Sequence, residues 1–147
     1  METTRQAMAN WSGNLLEGSG TVRSGTSGAF PEMGVTWKAR TEESGGVTSP
    51  EELLAAAHAA CFSMAFSNGL SKAGFVPDRV DTTASVLFRK LDAGWTVFSS
   101  TLTVRAKVPA ITESQFQELA QTARDGCPIS RAIKGNVELA VSATLER

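Results

Sequence analysis

Two thiols and one imidazole are the side chains of this sequence best suited to covalent chemistry: Cys61, Cys127 and His58, the only histidine. Cys61 lies within Ala59-Ala60-Cys61-Phe62-Ser63-Met64. Apolar surroundings raise a thiol's pKa, so a reactive Cys61 needs a cation brought from elsewhere in the fold. A small buried hydrophobe is the plain alternative. Cys127 stands between Gly126 and Pro128, where a turn or short helix opens. Backbone N–H groups at such a start favour a thiolate, and the plain alternative is a partly exposed, inert thiol. His58 precedes Cys61 by three residues and shares its helix face. It is a nucleophile's base, a metal ligand with the two cysteines, or a polar side chain hydrogen-bonded in the core. A structural zinc site lacks its fourth ligand at recognisable spacing, and a Cys–His hydrolase leaves Cys127 without a role. Two thiols alone can reduce a peroxide without metal or organic cofactor. A thiolate opens the O–O bond and becomes a sulfenic acid, which a second thiol condenses to a disulfide.

Charged residues add less by type alone. Arg40 and Glu51 flank the loop Thr41–Thr48 and read as a solvated pair of small energetic worth. The chain has 14 basic and 15 acidic residues for a net charge of −1, and no basic run tracks a phosphate backbone. Nucleic acid is thereby excluded as the main partner. There is no Walker loop and no GxGxxG after a strand; the Gly/Ser-rich stretch 24–34 is a loop.

The elements that must hold these groups follow from periodicity and turn chemistry. Gly18-Ser19-Gly20 offers a turn between strand candidates Trp11–Leu16 and Thr21–Arg23, and Val35–Arg40 is a further short strand candidate. Ser49-Pro50-Glu51-Glu52 is a helix start, with Ser49 as cap, Pro50 in first position and Glu52 closing a capping box. The helix runs to about Lys72, apolar nearly all round, with Gly74 as its stop. Such a helix is expected to be covered on several sides. Val80, Thr82, Ala84, Val86 and Phe88 alternate with polar residues. After the turn Asp92-Ala93-Gly94, the positions Phe98, Leu102, Val104, Ala106 and Val108 keep the same period of two. A second helix spans Thr112 to about Asp125 with an apolar stripe of Phe116, Leu119, Ala120 and Ala123. The last strand alternates Val137, Leu139, Val141, Ala143 and Leu145. Strands, helix, strands, helix, strand predict an α+β domain of antiparallel sheets packed on helices.

At 147 residues the chain makes one domain, residues 1–147, burying about two-thirds of its unfolded surface. Hydrophobic residues make up 41% and charged residues 20%, ordinary for a globular chain. Met1–Asn10 has no apolar stretch of signal-peptide type, so a reducing cytoplasm is the expected location, where a static disulfide is disfavoured. Leu53–Ser71 is uncharged and nearly of membrane-spanning length. It is built mainly of Ala, carries His58, Ser63, Ser67 and Asn68, and lacks aromatic belts and flanking basic residues. It is therefore expected to be buried in protein and not in a membrane.

Two blocks carry a family resemblance. Ser49-Pro50-Glu51-Glu52-Leu53-Leu54-Ala55-Ala56-Ala57-His58-Ala59-Ala60-Cys61-Phe62-Ser63-Met64-Ala65 and Ala123-Arg124-Asp125-Gly126-Cys127-Pro128-Ile129-Ser130, with the cysteines 66 residues apart, resemble the OsmC/Ohr family. These are the osmotically inducible protein C and organic hydroperoxide resistance proteins. Val80-Asp81-Thr82-Thr83-Ala84 and Asp92-Ala93-Gly94 extend the likeness over nearly the whole chain. His58 within Ala-His-Ala-Ala-Cys favours the OsmC branch.

The resemblance implies an intertwined homodimer in which antiparallel sheets from both chains wrap two long central helices. It implies a thiol-dependent peroxidase that reduces organic hydroperoxides to alcohols. Cys61 falls on the peroxidatic position, Cys127 on the resolving one and Glu51 on the family's site carboxylate. The site arginine falls on Arg40, with Arg23 as the fallback. No cofactor and no metal are implied, and a dithiol, such as a lipoyl-bearing protein, is the implied reductant. Glu51 and Cys61 are ten residues apart, which on one helix is about 15 Å. One substrate cannot touch both, so the carboxylate at a given Cys61 is expected from the partner chain, making the dimer part of the mechanism. Arg40 would lower the Cys61 pKa and align the peroxide, Glu51 would hold the guanidinium by a fork-like pair, and Phe62 and Met64 would favour bulky peroxides. The rivals are a ligand-binding or structural stress protein with inert thiols, and a hydrolase using Cys61 and His58.

Overall fold

An asparagine, not the glycines, sets the N-terminal turn. In the computed structural model, which describes residues 1–147, Asn14 Oδ1 accepts the backbone N–H groups of Leu16 (3.0 Å) and Glu17 (2.9 Å). The Asn14 carbonyl accepts that of Gly18 at 2.9 Å. An Asx side chain that takes its own downstream N–H groups mimics a backbone turn. The hairpin therefore turns at 13–18, earlier than Gly18-Ser19-Gly20. Strand β1 (Ala7–Ser12) pairs antiparallel with β2 (Ser19–Ser24), and β2 with β3 (Met33–Val35). The strand expected over Val35–Arg40 ends after one residue, because Thr36 Oγ1 accepts the Ala39 N–H at 3.1 Å and caps helix α1 (Trp37–Thr41). A threonine that offers its hydroxyl to the third residue ahead starts a helix, whatever the strand propensity around it. These elements, with the start of the next helix, make up one compact unit, Met1–Leu53; Leu54–Arg147 make up the other.

Helix α2 (Pro50–Lys72) begins where the sequence predicts. Ser49 Oγ accepts the Glu52 N–H at 3.1 Å, but the Glu52 carboxylate takes the Thr48 hydroxyl, so the box closes one residue upstream. Gly74, at φ 89°, ends the helix and lets the Phe75 N–H return to the Leu70 carbonyl at 2.9 Å.

In the second unit α2 buries one face only: His58, Phe62, Phe66 and Leu70, spaced by four. Ala56, Ala57, Ala60 and Met64 are exposed. The helix has the length and mean hydropathy (1.3) of a membrane span, with 22% of that window buried. The expectation of cover on several sides thus fails within one chain. Four-residue steps keep the large side chains on one stripe, and the other faces are mostly alanine.

Strands β4 (Arg79–Leu91) and β5 (Gly94–Lys107) form a long antiparallel pair, and β6 (Glu138–Glu146) lies on the other edge of β5. β6 runs parallel to β5, from Ser99↔Glu138 to Lys107↔Glu146. The all-antiparallel expectation is corrected at this pair. Helices α3 (Glu113–Gly126) and α4 (Pro128–Ile133) fill the connection and return the chain to the starting end of β5, which a parallel partner requires. Thr112 and Gln115 form a capping box on α3. The core is built from Phe62, Phe66 and Leu70 of α2, Leu102, Val104 and Ala106 of β5, and Phe116 and Ala120 of α3. Phe66 meets Phe116 edge-on at 5.4 Å between centroids. The class is α+β, as predicted.

Candidate active site

Both thiols belong to the second unit, and there they touch. Cys61 is at mid-α2, and Cys127 ends α3 while capping α4. Both are free, with Cys127 Sγ 2.9 Å from Cys61 Sγ. Their exposures reverse the expectation. Cys127 is fully buried at 0%, and Cys61 is only half-buried. Cys61 lies one helical step beside the Phe62 stripe and so looks out of the core, while the tight turn at Gly126-Cys127-Pro128 folds the second sulfur inward.

Cys61 opens on a cavity of about 540 Å³ walled by Met64, Ala65, Leu119, Ala123 and Pro128, with Asn68, Lys72 and Thr122 supplying polar atoms. Phe62 is absent from this wall. It is wholly buried in the core, 5.6 Å from Phe66, because adjacent helical residues point about 100° apart. Of the two side chains expected to receive an alkyl group, only Met64 reaches the cavity.

Burial pushes the Cys61 pKa above its ordinary value, and the neighbouring Cys127 thiol adds to that, whereas a hydrogen bond from the Ile129 backbone pulls it down. One N–H at the start of α4, that of Ile129, thus favours the Cys61 thiolate, where the helix start was expected to serve Cys127. Taken together, the groups around Cys61 within its own unit favour the neutral thiol.

His58 is 0% exposed, and both ring nitrogens are engaged. Nδ1 lies 2.7 Å from Ser100 Oγ on β5, and Nε2 lies 2.8 Å from Ser130 Oγ on α4. Burial lowers its pKa, so the neutral ring is favoured, with one nitrogen donating, the other accepting and the hydroxyls turned to match. The ring is the hydrogen-bonded core residue of the plain reading. A base for Cys61 and a ligand beside the two sulfurs both need a nitrogen that the serines occupy, and no cluster of three His, Cys, Asp or Glu is arranged for a metal. Ser100 and Ser130 are roles that sequence reasoning missed. The signal for Ser100 was a polar residue in the inward register of Phe98, Leu102 and Val104. For Ser130 it was a spacing of three from Cys127, the same as from His58 to Cys61.

The charged pair lies in the first unit. Arg40, in the last turn of α1, donates from Nε to Glu51 Oε2 at 3.1 Å and from Nη2 to Glu51 Oε1 at 2.6 Å. Glu51 is 7% exposed. This is the fork-like pair predicted for these residues and not the solvated pair read from type alone. The guanidinium carbon also lies 5.5 Å from the Trp37 ring centroid. Arg40 lines an apolar pocket of about 280 Å³ with Trp11, Leu15, Val35, Trp37 and Pro50. Arg23, the fallback, is exposed on β2 and reaches the Met8 sulfur at 3.6 Å, so Glu51 is partnered by Arg40. Glu52 is exposed and bound to Thr48.

A mixed three-stranded sheet beside one long alanine-rich helix, with two free thiols in contact, defines an α+β dithiol protein. The chain belongs to the OsmC-like protein family, whose model matches residues 43–142, and sits on the OsmC branch of the OsmC/Ohr group. It is similar to the peroxiredoxin OsmC of Escherichia coli, 42% identical over 139 residues, covering 95% of this chain and 96% of that one. It is more distantly similar to the organic hydroperoxide resistance protein of Xanthomonas axonopodis pv. citri, 30% identical over 67% of this chain and 68% of that one. The fold matches the crystal structure of the organic hydroperoxide resistance protein OsmC of Legionella pneumophila with a TM-score of 0.72. That match is at 24% identity and covers 97% and 99% of the two chains.

Proposed function

We propose that the protein is a thiol peroxidase that reduces organic hydroperoxides to alcohols, with Cys61 as nucleophile and Cys127 as resolving thiol. The observation that carries this reading is the 2.9 Å contact between two unbridged sulfurs, one opening on a cavity and the other buried behind it. The peroxide-related names of the relatives support the same chemistry. The Cys61 thiolate attacks one peroxide oxygen; an S–O bond forms, the O–O bond breaks, and the alkoxide takes a proton and leaves as the alcohol. The Cys127 thiol then displaces hydroxide from the sulfenic acid, which departs with the thiol proton as water while the S–S bond forms. A dithiol reductant, such as a lipoyl-bearing protein, returns both thiols and is itself oxidised to a disulfide.

The first step needs a cation, since burial and Cys127 hold the thiol neutral. Arg40, fixed by Glu51, supplies it and hydrogen-bonds the peroxide. Ten helical residues separate Glu51 from the Cys61 of its own chain, so the guanidinium arrives from a second copy. The exposed face Ala56, Ala57, Ala60 and Met64 favours a homodimer, since alanine lets helices approach closely. Residues 1–147 act as a single domain within it, and the proposed location is a reducing cytoplasm, which keeps both thiols free between turnovers. The aliphatic walls beside Cys61 suit an alkyl group, and burying each methylene contributes about 0.8 kcal/mol.

Turnover of cumene hydroperoxide with a dithiol tests the assignment. Cys61→Ser is expected to abolish it. Cys127→Ser is expected to allow one reduction, after which intact mass shows one and then two oxygen atoms added to Cys61. Undiminished turnover by Cys61→Ser defeats the proposal.

A further inference from the structure

The buried ring His58 stands in register with the two sulfurs. On α2, His58 and Cys61 are three residues apart; on α4 and its cap, Cys127 and Ser130 are three residues apart. The two segments are joined by two rungs in reverse order, Cys61 to Cys127 at 2.9 Å and His58 to Ser130 at 2.8 Å. Ser100 on the central strand β5 holds the other ring nitrogen at 2.7 Å, which fixes the plane of the imidazole. All three members are 0–1% exposed, and no buried side-chain nitrogen or oxygen in the chain lacks a partner. Water therefore does not compete for these bonds, and losing one leaves a buried polar atom unpaired.

We propose that His58 and Ser130 are positioning residues for the resolving step, a rung that holds Cys127 in line with Cys61 so that the sulfenic acid is captured before a second peroxide reaches it. The inference rests on the peroxidase reading and concerns which of two fates the sulfenic acid meets. In one, Cys127 sulfur bonds to Cys61 sulfur and water leaves. In the other, a second hydroperoxide transfers an oxygen to Cys61, giving a sulfinic acid and a second alcohol. Capture within one chain depends on how well the attacking thiol is held. Cys127 is held on one side by its N–H bond to the Ala123 carbonyl at 2.9 Å, and its carbonyl accepts the Arg131 N–H at 3.0 Å. Both are backbone bonds within or between α3 and α4. The His58–Ser130 bond is the side-chain tie from that corner to the helix bearing Cys61.

The test follows the two steps separately in Ser130→Ala by rapid quench and intact mass after mixing with cumene hydroperoxide. Disulfide appears as a loss of two hydrogens, and sulfinic acid as a gain of two oxygens. Closure is expected to slow about tenfold more than attack, the factor that about 1.4 kcal/mol represents, and the sulfinic fraction in excess peroxide rises accordingly. A merely stabilising hydrogen bond lowers the unfolding midpoint and leaves that partition where it was. Because Ser130→Ala strands a buried ring nitrogen, a triple variant His58→Phe, Ser100→Ala, Ser130→Ala removes all three polar partners together, which is far better tolerated. It is expected to show the same slow closure. Wild-type partition in a folded single or triple variant overturns the inference. Failure of the wild-type protein to form any disulfide with peroxide overturns instead the peroxidase reading beneath it.

Discussion

Glu51→Gln isolates the electrostatic half of the proposed mechanism from the thiol half. The Arg40 guanidinium gives two parallel hydrogen bonds to one buried carboxylate, at 3.1 and 2.6 Å. Glutamine keeps the shape but offers one oxygen, so one bond keeps its cationic donor with a neutral acceptor, and the other N–H meets an amide N–H it cannot donate to. Charge-assisted hydrogen bonds contribute about 1.5–3 kcal/mol, so the loss of one of the two weakens the hold on the guanidinium by about that much. At about 1.4 kcal/mol per factor of ten, the second-order rate of Cys61 oxidation by cumene hydroperoxide falls about 10- to 140-fold. Stopped-flow measurement of the first turnover reads this without the reductant. Disulfide closure, which involves the second unit's thiols, is expected to keep its rate. Glu51→Asp retains the charge on a stem one methylene shorter and falls between the two. A first-turnover rate within about twofold of wild type in Glu51→Gln refutes the role given to the pair.

Three further outcomes are expected. Alkylation of Cys61 by iodoacetamide, followed against pH in a Cys127→Ser background, should have its midpoint well below 9 when Arg40 is present. Arg40→Ala should move it upward, because burial alone disfavours the thiolate and raises the pKa from 9.0; an unmoved midpoint removes Arg40 from the site. Ala60→Glu places a charge on the open alanine face of α2 and should give a monomer by light scattering, with loss of peroxidase turnover; an active dimer argues for a different interface. His58 has its folded-state pKa lowered from 6.5 by burial, so the unfolded chain takes up the proton first. Stability is full above pH 6.5 and falls as pH drops below it, by at most about 1.4 kcal/mol per pH unit until the folded-state value is reached. That part of the thermal-midpoint profile should vanish in the triple variant lacking His58, Ser100 and Ser130; a pH profile identical to wild type would show that another group is responsible.

How much was legible in the sequence depended on how local the cause was. The start of α2 at Ser49-Pro50, its end at Gly74, the start of α3 at Thr112 and the turn at Asp92-Ala93 are decided by residues within four positions of one another, and all form where read. The hairpin was misplaced because Asn14, a single polar side chain, outcompeted the glycines for the turn. Thr36 likewise turned a strand pattern into a cap. The direction of β6 was not legible at all, since alternation gives a strand's faces and not its polarity. At the site, family motifs pointed to the two cysteines and the Arg40–Glu51 pair. The exposures of the thiols were inverted because they depend on which helix face meets the core, a tertiary property. The ring partners Ser100 and Ser130 come from 42 and 72 residues away, beyond any local pattern.

The distribution of charge over the two units has a mechanistic consequence. In the second unit, burial first and the Cys127 thiol next favour the neutral form of Cys61, and the one opposing group is the Ile129 backbone N–H. On the proposed assignment, a nucleophile kept neutral until a guanidinium is added would gain reactivity only in a dimer whose second copy brings its Arg40–Glu51 pair to Cys61. Arginine suits this task better than lysine. It stays protonated in an apolar cavity, it can hold Glu51 with one edge of its fork, and it keeps N–H groups on the other edge for thiolate and peroxide. Lysine at position 40 would keep the charge and lose the fork. Arg40→Lys is therefore expected to preserve the low alkylation midpoint of Cys61 better than it preserves peroxide turnover, separating thiolate stabilisation from peroxide alignment. Equal losses in both would mean that the guanidinium acts as a point charge and nothing more.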